Sequence, residues 1–110
     1  MKKPSLHNAS RIVIKVGSLM LADAESGEVR SLWLKTLADD IAALRNAGKQ
    51  MVIVSSGAIT LGRKTLALSQ ANLTLAEKQA AASVGQIALA NAWGSALAEH
   101  HINISQVLLT

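Results

Sequence analysis

Residues 11–56 read RIVIKVGSLMLADAESGEVRSLWLKTLADDIAALRNAGKQMVIVSS. Two short β-branched runs, Arg11–Val16 (RIVIKV) and residues 51–55 (MVIVS), flank a segment whose apolar residues recur at helical spacing. Leu34, Leu37, Ala38, Ile41 and Leu44 follow the i, i+3, i+4, i+7 pattern, which predicts a helix over 32–47. Ser31 is the expected N-cap and Gly48 the expected residue just past the helix end. The polar stretch 22–31 reads as a loop. Strand, helix-length crossover and strand make a βαβ unit, so the strands are expected to be parallel neighbours with a right-handed crossover.

Downstream, Ser56, Gly57, Ala58 and Ile59 lead into a helical stretch to about residue 68. Thr74 and Glu77 are spaced for a capping box, each side chain able to bond the other's backbone N–H. The helix they open is expected to reach about residue 100 and to bury Ala80, Val84, Ile87, Ala88 and Leu97. Gly85 and Gly94 each cost up to about 1 kcal/mol inside a helix, which close packing against a neighbour would explain. Residues 102–109 (INISQVLL) read as a third strand. Residues 1–10 read as a disordered lead-in. Because alternating α/β chains cover both faces of their sheet, residues 11–110 are expected to be the N-terminal part of a larger α/β domain.

Composition narrows the function. The 110 residues include no Cys, Phe or Tyr. That excludes a disulfide scaffold, a thiol nucleophile and a Cys-ligated zinc site, and it removes the usual platforms for base stacking. The net charge is +4, but Lys2, Lys3 and Arg11 carry most of the excess in a terminal segment without acids. Nucleic-acid binding is therefore not expected of this segment. No apolar run approaches the roughly 20 residues needed to cross a bilayer. The polar residues after Lys2 and Lys3 do not form the apolar core of a signal peptide. A cytoplasmic protein without membrane partners is the expectation.

Parallel α/β sheets bind ligands beyond the carboxyl ends of their strands. Both strand ends here carry small turns, Lys15-Val16-Gly17-Ser18 and Ser55-Ser56-Gly57-Ala58. A βαβ unit brings them to one edge, where backbone amides and a helix start favour an anion. Lys15 is a charge in an otherwise apolar strand; it either snorkels to solvent or reaches over the strand end toward a phosphate, and the second is preferred. Ser56 is either a helix cap or a contact to a ligand oxygen. Gly57 to Thr65 (GAITLGRKT) narrowly misses the Walker loop, with Arg63 where its lysine belongs. Asp39 and Asp40 read as a solvated helix face. His100 and His101 do not share a helix face, and the pair is expected to favour the helix C-terminus rather than a metal; no metal site is expected.

The segments VIKVGS and VIVSSGAI resemble the amino acid kinase family, and within it the branch that phosphorylates L-glutamate. The match continues through Gly62-Arg63, residues 78–86 (KQAAASVGQ) and residues 106–110 (QVLLT). The resemblance implies a three-layer α/β/α sandwich with a mainly parallel sheet, of which residues 11–110 would be the glutamate-binding side, truncated before the nucleotide-binding half. It implies transfer of the ATP γ-phosphoryl group, with Mg²⁺ bound to the nucleotide, to the side-chain carboxylate of L-glutamate, the first step of proline biosynthesis. It implies Lys15 as the catalytic lysine, Lys15, Gly17, Ser18 and Gly57 at the ATP phosphates, and Ser56, Gly57 and Ala58 at the substrate. A homo-oligomer is implied for the full-length protein, and no activity for these 110 residues alone. Leu19 departs from the family's first turn, which usually carries a second hydroxyl there. The alternatives are a non-catalytic βαβ module binding an anion or a partner, or another family member such as an N-acetylglutamate kinase.

Overall fold

The computed structural model describes residues 5–69 and 71–108. Strand β1 (Arg11–Val16) lies parallel to β2 (Gln50–Ser55), with Arg11 opposite Gln50 and Val16 opposite Ser55. Ser56 N donates to Val16 O at 2.9 Å and carries the pairing one residue beyond β2. The crossover holds helix α2 (Ser31–Asn46), which buries Leu34, Ala38, Ile41 and Ala42. Its C-terminus closes as expected. Gly48, at φ +89°, donates to Arg45 O and Lys49 donates to Leu44 O, which closes the last turn. Its N-terminus differs, because Ser31 is the first helical residue and its hydroxyl donates back to Val29 O.

A four-residue helix, α1 (Ser18–Leu21), follows β1 directly. It is too short to show a period, yet Leu21 is fully buried. Helix α3 (Ala58–Thr65) follows β2, and α4 (Leu75–Ala98) follows the capping box at Thr74. Both box bonds form: Glu77 N donates to Thr74 Oγ1 at 3.1 Å and Thr74 N to Glu77 Oε1 at 3.0 Å.

The buried face of α4 departs from expectation. It is the strict i+4 stripe Ala81, Gly85, Leu89, Trp93 and Leu97, while Ile87 is exposed. The helix is apolar on all sides, so its sequence period does not select a face; the close approach of α3 does. A Cβ on Gly85 would collide with the Ala58 carbonyl and lie 2.6 Å from Gly62 N. Gly94 has no such role, since a Cβ there would meet only Ile104 Cδ1 at 3.5 Å.

Helices α2 and α4 cover one face of the sheet, where Ile12, Ile14, Val16, Met51 and Ile53 join the core. The other face carries Val13, Lys15, Val52 and Val54, with Val13 60% exposed. The described residues thus build two layers. The expected third strand is not formed: over the described residues 102–108 the chain is irregular, and Val107 and Leu108 are exposed. Extended-prone residues become a strand only against a partner edge, and none among the described residues pairs with this segment. Residue 109 lies outside the described residues, as does the start of the lead-in at 1–4. Residues 5–10 carry a turn, and Lys49 Nζ donates to His7 O and Ala9 O, both at 2.6 Å. No helix among the described residues is long and apolar enough to cross a membrane.

Candidate functional site

The register of β1 and β2 sets their C-terminal ends side by side, about 5 Å apart across the ladder. The turns that follow meet at an open cleft of about 330 Å³. Ser18 lines it from the first turn, Ser55, Ser56, Gly57 and Ala58 from the second, and Ala82 from α4. Four of the six residues singled out from sequence, Ser18, Ser56, Gly57 and Ala58, therefore share one cavity. Gly17 and Lys15 do not line it.

Lys15 stands one position before the strand end, level with Val54 on the face away from the core. It is exposed and forms no ion pair among the described residues. Gly17 has an ordinary extended backbone, and open space surrounds the position a Cβ would take. Gly57 is different. Its φ of +126° is strained for any residue with a side chain, and a Cβ would sit 2.9 Å from Leu21 Cδ2. Its N–H has no hydrogen-bond partner among the described residues, while its carbonyl accepts the Leu61 amide at 3.1 Å. An unpaired donor at a helix start is suited to an anion.

Ser55 was not anticipated. Its hydroxyl accepts from Trp93 Nε1 at 3.0 Å and donates to Ser56 O at 3.2 Å. Trp93 comes from the buried stripe of α4, 38 residues away. The one signal available beforehand was that a buried indole N–H needs a partner.

The Walker resemblance fails on geometry. Residues 58–65 are helical, and Arg63 is buried with its Nη2 donating to Ala24 O at 2.6 Å. That bond ties the 22–27 loop to α3. Within the loop, Asp23 Oδ1 accepts from the Ser26 and Glu25 amides, each at 2.9 Å. Those two backbone bonds, with Arg30 nearby, hold the Asp23 carboxyl below its ordinary range. Away from the cleft, Asp39 is not merely solvated. Its Oδ1 lies 2.7 Å from His100 Nε2, which joins α2 to the residues just past α4.

Residues 10–110 match the model of the amino acid kinase family. Among curated proteins, the chain is 53% identical over 110 residues to the glutamate 5-kinase of Rhodopseudomonas palustris and to that of a Bradyrhizobium species. Over 100 residues it is 55% identical to the glutamate 5-kinase of Nitrobacter hamburgensis. The whole of this chain is covered in the first two comparisons and 91% in the third. The chain spans 29%, 29% and 26% of the length of these relatives.

Proposed function

The chain belongs to the amino acid kinase family, and on that premise we propose that it supplies the glutamate-binding side of an enzyme that phosphorylates the γ-carboxylate of L-glutamate with ATP. The observation that carries this is the meeting of two strand-end turns in one cleft, with the unpaired Gly57 amide in the second turn and an exposed ammonium on the neighbouring strand.

The chemistry asks little of a general base. A carboxylate is already ionised at neutral pH and can attack phosphorus directly. One carboxylate oxygen bonds to the γ-phosphorus as the bond to the β-phosphate oxygen breaks. ADP leaves, and an acyl phosphate remains. The difficulty is electrostatic, because two anions must approach while charge spreads over the transferred group. Lys15 offers a mobile cation to that group, and the Gly57 amide offers a fixed donor. In this reading Ser56 and Ala58, which line the cleft, hold the glutamate carboxylate, and Ser18 meets a phosphate oxygen. Gly17 leaves its turn open for the nucleotide to approach.

In this reading Mg²⁺ comes with the nucleotide, bound to its phosphates. The bare sheet face, with Val13, Val52 and Val54, is the face that a third layer of an α/β/α sandwich covers in the whole protein. We place that protein in the cytoplasm as a homo-oligomer.

The test is an acyl-phosphate assay on the complete gene product, with glutamate, aspartate and N-acetylglutamate offered in parallel. Glutamate is expected to be the substrate. Turnover of N-acetylglutamate in its place would move the protein to another branch of the family, and turnover of none would refute the assignment.

A further inference from the structure

The Ser55 hydroxyl has both of its roles assigned. An indole N–H can only donate, so Ser55 Oγ must accept from Trp93 Nε1, and its single proton is left for the Ser56 carbonyl. Trp93 is buried and held on the core stripe of α4, so the direction of its N–H is set by packing rather than by solvent. Among the described residues no peptide bond is cis. In the planar trans unit between Ser56 and Gly57, the carbonyl and the N–H therefore point in opposite directions. Pinning the Ser56 carbonyl to Ser55 turns the Gly57 N–H away from that hydroxyl. That same N–H has no partner among the described residues.

We propose that Trp93 is a positioning residue for phosphoryl transfer: through the Ser55 hydroxyl it fixes the Ser56–Gly57 peptide and so aims the Gly57 amide. The inference rests on the glutamate-kinase reading for what the amide meets, though not for how the peptide is held. It links the core of α4 to the cleft through two hydrogen bonds. Glycine at 57 adds to the need for such a link, because it is the residue least able to hold its own backbone.

The test uses the complete gene product with glutamate and ATP. W93F keeps most of the ring and removes the donor, S55A removes the hydroxyl, and S55T retains it. W93F and S55A should each lower kcat about tenfold, as expected for a transition-state donor that is still present but no longer held. The KM for ATP should stay within about twofold, and S55T, which keeps the hydroxyl, should recover most of the kcat that S55A loses. The W93F/S55A double variant should be no slower than S55A alone, since both break one chain of bonds. A W93F enzyme with wild-type kcat, or a double variant whose loss is the product of the two single losses, overturns the proposal. If W93F does not fold, S55A against S55T decides the matter: equal kcat in the two overturns it. Should the wild-type product not phosphorylate glutamate, the functional reading falls separately, and crystal structures of wild type and S55A then decide. A Ser56–Gly57 peptide rotated in S55A supports the proposal, and one left in place overturns it.

Discussion

Gly62 of α3 and Gly85 of α4 meet backbone to backbone, with no room for a side chain on either. A Cβ on Gly62 would collide with the Ala81 carbonyl and lie 2.8 Å from Gly85 N. The contact is what brings the N-terminus of α3, and with it the cleft, against α4.

G85A should therefore destabilise the protein well beyond an ordinary surface change. Overpacking costs about 1–3 kcal/mol where side chains can yield, and here the obstacle is backbone. Thermal unfolding of the complete gene product should show a lowered Tm or no folded protein at all. G94A is the control. Its Cβ would meet only Ile104 at ordinary contact, and alanine is favoured over glycine in a helix by up to about 1 kcal/mol. A Tm equal to or above wild type is expected for G94A, and equal losses in the two variants would contradict this account of the contact.

Lys15 and Ser56 should separate kinetically. Lys15→Ala should remove most of kcat, about a hundredfold or more for a group acting on developing charge, with a smaller effect on the glutamate KM. Ser56→Ala should mainly raise the glutamate KM. An unchanged kcat in the first variant, or an effect confined to ATP in the second, would remove that residue from its assigned role.

Gly57→Ala should impair the cleft twice over. The positive φ opposes a side chain, and the added methyl presses on Leu21, which is fully buried. We expect kcat to fall more than tenfold, together with a lower Tm. A variant with wild-type turnover would show that the amide at 57 does not need its observed direction.

The 22–27 loop should be acid-sensitive through Asp23. Its carboxyl titrates below the ordinary range in the folded protein because the Ser26 and Glu25 amides bond the charged form. Such a group stabilises the fold above its unfolded pKa, and that contribution is lost as pH falls through the folded value. The stability difference between wild type and D23N should therefore shrink as pH drops from about 5 to about 2. A difference that grows in acid would contradict the assignment.

The parts of this structure legible in the sequence are those with a local physical cause. The two β-branched runs, the helix between them, the αL glycine at 48 and the Thr74–Glu77 box each depend on residues a few positions apart. The strand-end turns were legible too, because a βαβ unit leaves no other place for them. What stayed hidden depends on distant partners. Ala is so frequent in α4 that every face looks apolar, and only the glycine contact with α3 selects Ala81, Gly85 and Leu89. Residues 102–108 have the composition of a strand but not its partner. Helix α1, at four residues, is barely one turn and repeats no pattern. The Trp93–Ser55 bond spans 38 residues, and the contact between Asp39 and His100 spans 61.

The pairing of Lys15 with Val54, and of Val16 with Ser55, carries a consequence for how mistakes are avoided. Side chains alternate across a pleated strand, so a slip of one residue would swing the ammonium into the apolar interior and expel Val16. Misalignment is thus punished by the core before any chemistry is attempted. A molecule that has folded has already aimed its lysine outward, and correct assembly and a correctly armed strand tip are one event.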